Sequence, residues 1–80
     1  MDARIRKILG TVFEIPEEEI QDGTGPGNVG MWTSLNHLRM VTEIEKEFGI
    51  RLRQKEVREM RSFATIRETV ERYLSRDGGA

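Results

Sequence analysis

Ser34-Leu35-Asn36-His37-Leu38-Arg39-Met40-Val41-Thr42-Glu43-Ile44-Glu45-Lys46-Glu47-Phe48 is the stretch that decides the fold. Its apolar residues Leu35, Leu38, Val41, Ile44 and Phe48 recur at intervals of three and four, the period of an amphipathic helix. Thr33 or Ser34 suits the cap at its start, and Gly49 suits its C-terminal stop. Leu35 and Leu38 are therefore expected to pack in the core, and His37 to face solvent.

Downstream, Ile50-Arg51-Leu52 alternates in polarity and reads as a short extended connector. Val57 and Met60 suggest a short helix over residues 55–60. Phe63, Ile66, Val70, Tyr73 and Leu74 then line one face of a last helix, with Ser62 as its cap. Residues 75–80 read as a frayed tail. Upstream, residues 22–31 run Asp-Gly-Thr-Gly-Pro-Gly-Asn-Val-Gly-Met, and four glycines with a proline predict a mobile loop. Before it, Ile5, Ile8, Leu9, Val12 and Phe13 form one helical face. That helix should end near Glu14, because Pro16 pushes Ile15 out of the helical region. Glu17-Glu18-Glu19 then fits a short turn, with acids at its favourable N-terminal end. The pattern predicts one all-α domain over residues 1–80, a small four-helix bundle of three main helices and one short one.

Bulk composition narrows the function. The 80 residues suffice for one domain. Thirteen basic against fourteen acidic residues argue against a general nucleic-acid binder, which would be strongly basic. The absence of cysteine excludes disulfides, thiolate chemistry and cysteine-ligated metals, and a single histidine is too few for a His-built zinc site. No apolar run approaches the ~20 residues of a membrane span. The N-terminus has no apolar stretch of the signal-peptide kind, so a soluble, monomeric, cytoplasmic protein is the expectation. Charge is uneven along the chain: residues 51–67 carry six basic side chains and two acidic ones. A solvated face is the plainer reading of that run, and a docking patch for an acidic partner the sharper one.

Gly25-Pro26-Gly27-Asn28-Val29-Gly30 spells G-x-G-x-x-G, but no strand precedes it and no Gly-Lys-Ser/Thr follows it. A connector is the better reading than a phosphate cradle. Ser34 and His37 lie three apart and suit one helical face, so a nucleophile and base are conceivable. A triad also needs an orienting acid and an oxyanion hole, for which a bundle this small has little room. The three consecutive glutamates suit a solvated acidic turn better than a cation site. Trp32 suits an anchor of the loop on the bundle.

The run from Ser34 to Phe48 resembles the signature of acyl carrier proteins, in which an Asp-Ser-Leu triplet opens the second helix and an acidic stretch and a Phe close it. The likeness continues through Gly49-Ile50-Arg51-Leu52 as connector, Glu56-Val57 and Met60 as short third helix, and Ser62-Phe63 to Tyr73-Leu74 as last helix. The first helix and the long loop fit as well, so it covers nearly the whole chain. The triplet alone is a weak motif; in register with four helices it is fairly specific.

The resemblance implies 4′-phosphopantetheine carried covalently on Ser34 through a phosphodiester, its terminal thiol holding an acyl or aminoacyl group as a thioester. It implies partners rather than catalysis: a phosphopantetheinyl transferase, a loading enzyme, and downstream synthases or transferases of fatty-acid or polyketide type. Thr33, Leu35, Arg39 and Met40 are the residues expected at the partner-docking surface; Leu35, Leu38 and Met40 are candidates to shape that surface or an acyl cavity, with core packing the better reading of the two leucines. The chain departs from the pattern twice. Thr33 replaces the family's Asp, which leaves helix capping intact and bears on recognition by the transferase. The second helix carries Asn36, His37 and Arg39 where the family is usually acidic, so dedicated partners are expected rather than those of general fatty-acid synthesis. The alternative expectation is an unmodified relative serving only as a protein-interaction module; a third is a small hydrolase built on Ser34 and His37.

Overall fold

A computed structural model describes the backbone of residues 1–79 and the side chains of residues 1–75. The chain forms α1 (Asp2–Phe13), a single 3-10 turn (Glu17–Glu19), α2 (Ser34–Phe48), α3 (Gln54–Glu59) and α4 (Phe63–Gly79). It is a small all-helical bundle, with no strand among the described residues.

The helix ends follow local chemistry. α1 stops at Glu14, a non-glycine residue in the left-handed region (φ 56°), and the Ile15 N–H bonds back to the Gly10 carbonyl at 3.2 Å. Pro16 then prevents further helix. α2 ends at Gly49, whose φ of 65° suits a residue without Cβ. At the start of α4, the Ser62 hydroxyl accepts from the Thr65 N–H at 3.1 Å. The short helix sits one residue earlier than its apolar spacing suggests, and α4 continues along the backbone past Ser75, where a tail was expected. Ala80 lies outside the described residues.

Ile5, Leu9 and Phe13 of α1, Met40 and Ile44 of α2, and Phe63, Ile66 and Val70 of α4 fill the core, with Ile20 and Met60 supplied by the connections. Polar contacts close its edges. The Arg4 Nε donates to Glu47 Oε2 at 2.7 Å and its Nη2 to the Glu47 carbonyl at 2.9 Å, tying the start of α1 to the end of α2. The Arg6 Nη1 donates to the Ile20 carbonyl at 2.6 Å, with its guanidinium 4.7 Å from the Phe63 ring centroid. No helix among the described residues is long and apolar enough to cross a membrane.

Two expectations fail in α2. Leu35 is 61% exposed and Leu38 is 56% exposed, so neither belongs to the core. The buried stripe is Asn36, Met40, Val41 and Ile44, with Phe48 half-buried at its end. An apolar spacing of three fits more than one face of a 3.6-residue helix. Asn36 takes the inward place in the first turn because its Nδ2 donates to the Met31 carbonyl at 2.8 Å, satisfying an amide that burial would otherwise penalise.

Candidate functional site

Ser34 is the first residue of α2, and the work of capping falls to its neighbour. Thr33 is extended (φ −84°, ψ 170°), and its Oγ1 accepts from the Asn36 N–H at 3.2 Å. Its carbonyl accepts from the His37 N–H at 2.8 Å. Ser34 is exposed, and its hydroxyl makes no hydrogen bond among the described residues. The N–H groups of Ser34 and Leu35 also have no partner there. An exposed nucleophilic oxygen thus stands at the positive end of a 15-residue helix beside open backbone donors.

Leu35 and Leu38 share a side of α2 next to this serine, and Met31, 43% exposed, adds to them. They border an open groove between α1 and α2 whose floor includes Ile8 and Val12 and whose rim includes Arg39. Of the residues expected at a docking surface, Thr33, Leu35 and Arg39 are exposed. Met40 is fully buried, turned inward on the Ile44 side of α2, and cannot touch a partner.

His37 does not face solvent as expected. The Trp32 indole N–H donates to its Nδ1 at 2.9 Å, and its Nε2 lies 2.7 Å from the Val57 carbonyl oxygen. An indole nitrogen is only a donor, so Nδ1 accepts and the ring proton sits on Nε2, donated to Val57. Both ring nitrogens are committed, and the imidazole is not offered to Ser34 as a base. Trp32 anchors the loop as its size suggests, stacked on Phe13 with ring centroids 4.1 Å apart and planes 14° from parallel.

The His37 bond pins α3 to the first turn of α2. Glu56 pins α3 to the rest of the bundle, accepting from the Arg53 N–H at 3.0 Å and from the Tyr73 hydroxyl of α4. Desolvation pushes the Glu56 carboxyl up, but the Tyr73 hydroxyl, the Arg53 N–H and the charges of Arg53 and Arg72 outweigh it and hold it below the ordinary value of 4.5. The same hydrogen bond, with burial and the Glu56 charge, raises the Tyr73 phenol above 10.0. Hydrogen bonding to Asp22 raises the Arg67 guanidinium further above its already high ordinary value, so it stays charged.

Within the glycine-rich loop, Gly25 and Asn28 bond to each other. The Gly25 N–H donates to Asn28 Oδ1 at 2.9 Å, the Asn28 N–H to the Gly25 carbonyl at 3.1 Å, and the Asn28 Nδ2 to the Gly23 carbonyl at 3.1 Å. The Gly25 and Asn28 donors, spent within the loop, are not offered to a phosphate. Glu17, Glu18 and Glu19 are exposed on their turn, and no group of three or more acidic or histidine side chains suited to a metal ion occurs among the described residues.

The sequence missed Asn36 as an inward cap partner and the Val57 carbonyl as the acceptor for His37. An asparagine two residues after a candidate capping Thr-Ser pair was a signal for the first; a backbone carbonyl twenty residues away leaves no signal for the second. No family model matches the chain, and no curated protein matches it.

Proposed function

We propose that the chain is a carrier domain of a specialised biosynthetic pathway. Ser34 holds 4′-phosphopantetheine as a phosphodiester, and dedicated partner enzymes load and unload an acyl or aminoacyl thioester on it. The observation that carries this reading is the Ser34 hydroxyl, exposed and unbonded at the first position of α2 while Thr33 performs the capping. A serine that capped its own helix would have its oxygen occupied; this one is left for chemistry. The open Ser34 and Leu35 N–H groups favour an anionic diester at that point. When bound, the arm supplies the thiol that a chain without cysteine lacks.

The residues around Ser34 position rather than react. Thr33 fixes the helix start, and Leu35, Leu38 and Met31 offer apolar surface to a visiting enzyme. His37, with both nitrogens engaged, braces α3. This division supports a protein whose reactions are performed by its partners, a transferase, a loading enzyme and downstream synthases, acting on a monomer in the cytoplasm.

The test is intact mass after incubation with a broad-specificity phosphopantetheinyl transferase, coenzyme A and magnesium, with Ser34→Ala alongside. The parent is expected to gain one phosphopantetheine and the variant none. No gain in either, with several transferases and a folded sample, overturns the carrier reading. It leaves the same exposed surface as that of an interaction module, and Thr33→Asp then shows whether the missing acid is what the transferase needs.

A further inference from the structure

Arg51, Arg53, Lys55, Arg58 and Arg61 are all exposed. Of the two acids among them, Glu56 is taken by Tyr73 and the Arg53 N–H, which leaves Glu59 alone on the surface. The side chains of Arg51, Lys55, Arg58 and Arg61 make no hydrogen bond or ion pair among the described residues. Elsewhere Arg4 is paired with Glu47, Lys46 with Glu43, and Arg67 with Asp22 and Asp2, while Lys7 and Arg39 stand as exposed single cations without such a partner among the described residues. The unpaired positive charge is therefore densest on one short segment.

That segment has a defined place. Lys55 and Arg58 lie three apart on α3 and share a side, while Val57 and Met60 turn toward the core. The His37–Val57 hydrogen bond fastens α3 to the first turn of α2. The end of α2 that carries Ser34 thus presents exposed leucines and has the cation-bearing α3 fastened to it.

We propose that residues 51–61 form a docking face for an acidic protein surface that meets the molecule beside Ser34. Apolar side chains bordered by charge are the composition of a protein interface, in which the centre gives affinity and the charged rim gives steering and orientation. A nucleic acid fits less well: the chain is net −1, and no exposed aromatic in the segment offers a base something to stack on. A bilayer fits less well again, because the apolar residues of α3 point inward and leave nothing to insert. The face rests on exposure and charge and stands whether or not Ser34 is modified.

The experiment titrates isotope-labelled protein with a helical peptide bearing glutamates and leucines, and with the same peptide carrying lysine in place of each glutamate. A DNA duplex and anionic phosphatidylserine vesicles are titrated in parallel. The acidic peptide should shift the amides of residues 51–61 and of Ser34–Leu38, and its binding should weaken several-fold between about 0.05 M and about 0.3 M salt. In R51E/K55E/R58E it should bind at least about tenfold more weakly, with the preference turned toward the lysine peptide. The three side chains are exposed and unpaired, so the variant should fold; Lys55→Glu alone, with a smaller loss in the same direction, covers the case in which it does not. Equal binding of both peptides, shifts confined to other surfaces, or tighter binding to the duplex or the vesicles overturns the proposal.

Discussion

A Cβ built on Gly25 would lie 2.1 Å from the Arg61 carbonyl oxygen and 3.1 Å from its carbon, so any larger residue must part the loop from the start of α4. Gly27, two residues on, has nothing within 4 Å of such a Cβ. Gly25→Ala should therefore cost about 1–3 kcal/mol, the range for forcing atoms into a packed place. Gly27→Ala should stay within about 0.5 kcal/mol of the parent. Urea unfolding of the two variants checks this, and equal effects would mean that Gly25 is not there for close approach. The G-x-G-x-x-G spelling is thereby given a packing meaning at one glycine. Other residues show where sequence reasoning stops. Ser34 at a helix start was legible, because helix caps are local. The exposure of Leu35 and Leu38 was not, because a three-residue spacing does not say which of two faces is covered. His37 was misread because what holds it, the Val57 carbonyl, is distant in sequence and carries no side-chain signature.

Among the elements, α1, α2 and α4 could be read from their apolar periods, since each is long enough for the period to repeat. The six residues of α3 are not, and a helix of that length has little stability of its own. It is held by the Glu56 acceptor, the His37–Val57 bond and the inward Val57 and Met60 side chains. Tyr73→Phe removes the hydroxyl that reaches Glu56 from α4 and should cost about 1 kcal/mol near neutral pH. The pH dependence follows from the sign of the Glu56 shift. Its carboxyl is held below 4.5 in the fold, so its contribution is complete above the unfolded value and fades as pH falls through the lower folded one. The parent and Tyr73→Phe should differ in melting temperature near neutral pH and converge in acid as the pH falls through the lowered folded value of Glu56. A gap that persists unchanged into acid would mean that the ionised Glu56 is not the partner that matters.

At the scale of the whole molecule, two of the helix N-termini are treated in opposite ways. That of α4 is closed: the Phe63 N–H donates to the Thr24 carbonyl at 2.9 Å, the Ala64 N–H to the Asp22 carbonyl at 3.1 Å, and the Thr65 N–H to Ser62 Oγ at 3.1 Å. Arg67, one turn further on, draws Asp22 and Asp2 together at 3.2 Å and 3.5 Å and so fastens the loop and the start of α1 to α4. The N-terminus of α2 is left with its first two N–H groups unpartnered beside Ser34. The glycine-rich loop connects the two, closing one helix end while delivering the other to the surface, and composition alone conveyed only its lack of regular structure. Amide hydrogen exchange should register the contrast. Phe63 and Ala64, which are orphan donors in an ordinary helix, should be protected to a degree comparable with Ile66 and Val70, while Ser34 and Leu35 exchange rapidly. In Gly25→Ala the protection of Phe63 and Ala64 should fall together while that of Ile66 and Val70 falls only as far as global stability does. Fast exchange at Phe63 and Ala64 in the parent would show instead that the loop opens independently of α4, and the closed helix end would then owe nothing to it.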